Sequence, residues 1–181
     1  MRVWNILLDV AAMLITQFWR AVTAQIKPED QDYLKRHLPL AGRELFNAMA
    51  VCDQRHALNV AYTVEKLAAK KNIDRELLIR CALLHDVGRV RGDMDIDGKV
   101  LAVLLHKFFP QLAKKFACCR KKSWYPIRVM FVYYHHPWLG RQKLKRVGLT
   151  DEAEIICHHH DRRDKISSPL LDLLRQADNL N

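Results

Sequence analysis

Four residues far apart in the chain, His56, His85, Asp86 and Asp178, are of the types that hold a divalent transition-metal ion. Three of them fall on apolar helical stripes by spacing alone. His56 runs with Ala57, Val60, Val64 and Leu67; His85 follows Leu77, Leu78, Cys81 and Ala82; Asp178 follows Leu170, Leu171, Leu174 and Ala177. A single histidine on such a stripe is ordinarily a core residue hydrogen-bonded to a carbonyl. A buried carboxylate is more demanding, because without compensation it must pair, bind metal or take up a proton. Two histidines and two carboxylates aimed into one core satisfy one another best through a divalent cation.

Helices are the elements that would carry these residues inward. Glycine and proline number only six each in 181 residues, which favours helices over a turn-rich sheet protein, and the length suits one domain with a core that needs no disulfides. Leu45, Phe46 and Met49 mark a first helix, and Asp53 is expected to cap the next. Asp74 is expected to cap a third, with Gly88 placed to end it in a left-handed turn. Val100 to Leu112 reads as a helix closed near Pro110, while the aromatic and β-branched stretch Val129 to His136 would, on local propensity alone, allow a strand. Thr150 is expected to cap another helix, with Asp151, Glu152 and Glu154 near its positive end. Ser168 and Pro169 open the last one. There are no internal repeats, low-complexity tracts or linkers, so the expectation is an all-α single domain.

The first 22 residues form an amphipathic pattern, with Val3, Leu7, Leu14, Phe18 and Val22 at helical spacing. Only 17 residues separate Arg2 from Arg20, and Asp9 is among them, so the segment is a poor membrane span and a poor signal peptide. It reads as a helix docked on its own domain, with a membrane-surface helix as the second reading. The five cysteines, Cys52, Cys81, Cys118, Cys119 and Cys157, make no C-x-x-C pair. They indicate reduced thiols and a cytoplasmic chain, with a peripheral membrane position as the variant that residues 1–22 would add. The formal charge of +10 calls for an anionic partner. The basic runs lack the interleaved aromatics of a strand-binding groove, so nucleic acid is not the favoured partner.

The motifs Arg55-His56, Leu83-Leu84-His85-Asp86-Val87-Gly88-Arg89 and Gln176-Ala177-Asp178 resemble the H…HD…D signature of the HD superfamily of metal-dependent phosphohydrolases. The partners lie 29 residues before His85 and 92 after Asp86, and the likeness covers roughly residues 45 to 180. His135-His136-Pro137-Trp138-Leu139-Gly140 is similar to the HPxxG element of members that hold two metals, and Ile155-Ile156-Cys157-His158-His159-His160 to their later IxxHH element. The resemblance implies an HD-domain helical bundle over residues 43–181, preceded by an N-terminal helix and lead-in over 1–42. It implies first-metal ligands His56, His85, Asp86 and Asp178, with His85 and Asp86 central to catalysis. His136 and His159 become second-metal ligands, with His158 a rival to His159, and Asp86 becomes the bridge between two ions.

Imidazole and carboxylate donors suit Mn, Fe, Co, Ni or Zn better than Mg. One or two such ions would activate water to attack phosphorus, and Arg55 and Arg89, which flank ligands, would bind the phosphoryl oxygens. The activity implied is cleavage of a phosphoester or phosphoanhydride in a phosphorylated, nucleotide-like metabolite. Two alternatives stand beside it: a di-iron oxygenase of the myo-inositol oxygenase kind, and a non-catalytic HD-type regulatory module. An HD-GYP type of cyclic-dinucleotide phosphodiesterase is disfavoured, since no Gly-Tyr-Pro follows His159.

Overall fold

The computed structural model describes residues 19, 22–119, 124–161 and 166–181, and among these every regular element is a helix. Apart from Trp19 and Val22, the amphipathic segment 1–22 lies outside the described residues. Helices α1 (Pro28–His37) and α2 (Leu40–Asn47) lead into the long α3 (Val51–Ala68), which packs along α4 (Arg75–Leu84). Helices α5 (Ile96–Phe108) and α6 (Pro110–Ala117) form an elbow against α7 (Tyr125–Arg146). Helix α8 (Thr150–Ile156) returns onto α4 and α7, and α9 (Pro169–Leu180) onto α3. Among the described residues no helix is long and apolar enough to cross a membrane.

Two apolar clusters hold these helices. The larger joins residues such as Phe46, Leu58, Leu84, Leu144 and Leu174 from α2, α3, α4, α7 and α9. The smaller gathers Met94, Ala102, Ala113, Val129 and Met130 around the elbow. Helix α7 belongs to both. Tyr33 and Leu34 of α1 are buried in the larger cluster, so packing continues without a break across residues 42 and 43.

Local signals account for several helix ends. The Asp74 carboxylate accepts from the Leu77 amide, and the Ser168 hydroxyl from the Leu171 amide with Pro169 in the first turn. Two expected caps are placed differently. Ala50 precedes α3, and Asp53 lies inside its first turn, where a 2.6 Å ion pair with Lys99 takes the carboxylate that a cap would need. Leu149 precedes α8, whose first residue is Thr150. Pro110 does not close a helix into a loop; it opens α6, one residue after α5 ends. The 129–136 stretch is helical inside α7, because burial of Val129, Met130 and Val132 in the smaller cluster outweighs their local preference.

Gly88 also departs from expectation. Among the described residues only Gly92 and Gly148 have positive φ, so Gly88 is no left-handed cap. Its lack of a side chain permits a close crossing instead. A Cβ there would overlap the backbone carbonyl of His136 in α7. One turn further along α7, a Cβ on Gly140 would press on Ile156 Cδ1 at 3.0 Å and on the Gly88 nitrogen at 3.3 Å. The two glycines set how near α7 comes to the chain that follows α4. Gly88→Ala is therefore expected to cost about 1–3 kcal/mol as overpacking, lowering the melting temperature by several degrees in a thermal scan. An unchanged melting temperature would show that the crossing has slack.

Candidate metal centre

Five elements deliver polar side chains to the region where the two clusters meet. His56 comes from the middle of α3, His85 and Asp86 from the turn just after α4, His136 from α7, His159 and His160 from the turn after α8, and Asp178 from the last turn of α9. Among the described residues, their donor atoms form two groups, His56 with His85 and Asp86, and His136 with His159 and His160. In each, the atoms lie within 4.8 Å of one another. Asp86 stands between the groups. Its Oδ2 is 3.5 Å from His85 Nε2, while its Oδ1 is 3.3 Å from His136 Nε2 and 3.9 Å from His159 Nε2. Asp178 Oδ1 completes the first group, 2.9 Å from His56 Nε2 and 3.7 Å from His85 Nε2.

The hydrogen bonds fix the orientation of the rings. His85 Nδ1 donates to the Ala82 carbonyl at 2.8 Å, and His159 Nδ1 to the Ile156 carbonyl at 2.5 Å. Both acceptors lie in the last turn of a helix, where carbonyls lack their usual intrahelical partner. His136 does the same in mid-helix, donating to the Tyr133 carbonyl at 3.0 Å. There the following residue is Pro137, whose nitrogen has no hydrogen to give that carbonyl in the ordinary i to i−4 pattern. The proline of the HHPWLG motif thus frees the acceptor that aims the His136 ring. With each Nδ1–H occupied, the three Nε2 atoms present lone pairs towards Asp86.

Lone pairs facing a carboxylate leave an unmet need for positive charge. His85 Nε2, Asp86 Oδ1 and His159 Nε2 are all buried without a hydrogen-bond partner. Arg89 meets part of the need, donating to Asp86 Oδ2 at 2.7 Å and to His136 Nε2 at 3.1 Å. Burial works to raise the Asp86 pKa, but the Arg89 guanidinium beside it holds it well below the usual carboxylate range. Burial, with Arg89 beside it, pushes His136 well down, and burial among three other histidines does the same to His159. Both rings stay neutral and available as ligands. For His56, burial is outweighed by the hydrogen bond to Asp178, and its pKa is raised. Nitrogen and carboxylate donors around orphaned buried atoms fit one or two divalent transition-metal ions.

The structure brings together His56, His85, Asp86, Asp178, His136 and His159, leaves His158 outside the cluster and puts Arg55 on the wall of the adjoining cleft. The ring of His158 turns to the surface and pairs with Asp161 at 2.7 Å, because the turn after α8 points successive side chains in different directions. Arg55 lines the cleft while ion-paired to the buried Asp30 and donating to the Gln25 carbonyl at 2.9 Å, so it also ties the chain before α1 to α3. Arg89 does lie in the site, on the ligands themselves.

Three residues were not singled out by sequence. His160, 4.9 Å from His136 and 4.0 Å from His159 between ring centroids, could have been found by starting the I-x-x-H-H element at Ile156 instead of Ile155. Arg175 donates to the carbonyls of His158, His159 and Ile166, clamping the turn that carries His159 and His160. Its signal was its place between Leu171 and Asp178 on the buried face of α9. Lys99, paired with Asp53 and 3.0 Å from Cys52 Sγ, had no local signal.

Beside the cluster lies a cleft of about 1260 Å³. His56, Arg89 and Tyr133 line it, and Lys27, Arg55, Lys99 and Lys107 outnumber the single acid Asp53 in its wall. A family model for the HD domain matches residues 54–181. Neither the curated proteins nor the solved structures yield a match.

The two histidines of the turn after α8 separate the alternatives. His160→Ala should lower metal affinity at the second group by at least about tenfold, given that even outer partners of ligands are worth 10–100-fold. His158→Ala should leave metal content unchanged. Metal analysis of the two purified variants checks this, and the reverse order would exchange their roles.

Proposed function

The chain belongs to the HD domain family, and from that membership and the convergent lone pairs we propose that it is a metal-dependent phosphohydrolase. Its substrate is a phosphoester or phosphoanhydride in a small, nucleotide-like metabolite. The observation that carries this reading is the set of buried, unpartnered atoms on His85, Asp86 and His159 at one side of a cationic cleft.

His56, His85, Asp86 and Asp178 would hold one ion, and Asp86 with His136, His159 and His160 a second. Such ions supply an activated water at neutral pH and neutralise phosphoryl oxygens. Asp86 is suited to the bridging position because its two oxygens face different histidine groups. His85, His136 and His159 are held in register by the carbonyls their Nδ1 atoms bond. Lys99 and Lys107 line the cleft and would bind the substrate's phosphate oxygens, with Arg89 able to pass its guanidinium from Asp86 to the substrate. The cationic lining supports an anionic substrate over the neutral polyol of a di-iron oxygenase. The intact donor set likewise weighs against a purely regulatory module.

The test is phosphate release from a panel of phosphorylated metabolites with Mn, Fe, Co, Ni, Zn or Mg. Asp86→Ala should abolish both metal retention and turnover while the protein stays folded. Lys99→Gln should retain metal and raise KM about tenfold, the size expected for a lost charge-assisted contact. A folded Asp86→Ala protein with normal turnover would refute the assignment.

A further inference from the structure

One surface is left unused by the hydrolase reading. From Gly98 to Thr150 the sequence has no Asp or Glu, whereas twelve of the chain's 30 Lys and Arg fall in that stretch. Helix α6 lies within it and turns its small residues, Ala113 and Ala117, into the smaller cluster. Phe109, just before the helix, and Leu112 on its first turn lie on the outer side, while Phe116 packs half-buried against the smaller cluster and carries Trp124 edge-on with ring centroids 5.4 Å apart. Phe109 is 61 % exposed and Trp124 57 %, with Phe108 and Leu112 also open to solvent. Lys114 and Lys115 are exposed beside these residues. Phe108, Phe109, Leu112 and Trp124 thus stay exposed at the elbow, while Ala113, Ala117 and Phe116 make the contact with the core.

We propose that the α5–α6 elbow docks on an anionic phospholipid surface. Phe108, Phe109, Leu112 and Trp124 enter the boundary between headgroups and acyl chains, and the lysines meet the lipid phosphates. The run from Gly98 to Thr150 contributes no carboxylate to this face, which limits the repulsion that such a surface would exert on an ordinary mixed-charge one; Asp97, bonded to Tyr125, is the neighbouring acid. Nucleic acid fits less well, because the apolar side chains form a convex ridge, and Leu112 offers no ring on which a base could stack. The placement has a spatial corollary. His106 and Lys107 line the cleft and the next two residues are Phe108 and Phe109, so docking sets the cleft mouth beside the bilayer. The inference does not depend on the hydrolase reading.

The test is flotation of the full chain with phosphatidylcholine vesicles, with and without roughly 30 mol % phosphatidylglycerol, at about physiological salt. The wild type should float only with the anionic vesicles. Two independent double variants, Phe109→Ser with Leu112→Ser and Lys114→Glu with Lys115→Glu, should each reduce the partition coefficient at least about tenfold. Neither touches Ala113 or Ala117, so melting temperature and metal content should match the wild type. Equal flotation of both variants and the wild type would overturn the proposal and assign binding to another segment. Failure of the wild type to float, with or without binding of a single-stranded oligonucleotide, would overturn it as well.

Discussion

Asp86 is 1 % exposed, and its carboxylate remains ionised among groups that are themselves almost sealed from water. An isolated buried carboxylate would take up a proton, so the surrounding structure must supply positive charge. In the protein alone the Arg89 guanidinium covers Oδ2 and leaves Oδ1 facing two imidazole lone pairs. That arrangement is unfavourable unless a cation stands among those atoms. Much of the architecture serves it: carbonyls at two helix ends and one proline-freed carbonyl set the rings, and Gly88 lets α7 come close enough for His136 to reach. Arg175 holds the turn that presents His159. A side chain that only stabilised the core would not need so many elements to converge on its oxygens.

Much of this was legible in the sequence, for a physical reason. Ligands on long, regularly patterned helices reveal their direction, because spacing against an apolar stripe places His56 and Asp178 inward before any fold is known. The HHP and HD dipeptides, read by family resemblance, pointed to His85, Asp86 and His136. In the turn after α8 the sequence points to His159, leaves His158 as its rival and passes over His160, since three consecutive histidines give no periodicity from which direction can be inferred. Asp53 and Lys99 are 46 positions apart and meet only through tertiary packing, so Asp53 looked like a cap when viewed locally. Gly88 was assigned a backbone role that its φ does not support. Its real constraint, the His136 backbone, comes from a distant helix.

The two apolar clusters divide the labour of the site unequally. The larger one fixes α3, α4 and α9, which carry His56, His85, Asp86 and Asp178. The smaller one fixes α5, which carries Lys99 and Lys107 of the cleft, and α6 behind it. Helix α7 joins them, with Val129 and Met130 in the smaller cluster, Leu144 in the larger, and His136 between the two.

That division bears on how a substrate could enter. Cooperative units within a protein open with free energies set by their own packing, and a small unit opens more often than a large one. Lys99, His106 and Lys107 ride on α5, whose neighbours are chiefly α6 and α7, whereas His56, His85 and Asp86 ride on the larger unit. A transient parting of α5 from α7 would widen the cleft by moving Lys99, His106 and Lys107 while Arg55 stayed with the larger unit. The donor atoms around Asp86 would remain gathered throughout, so the cleft could breathe without dispersing the cluster beside it.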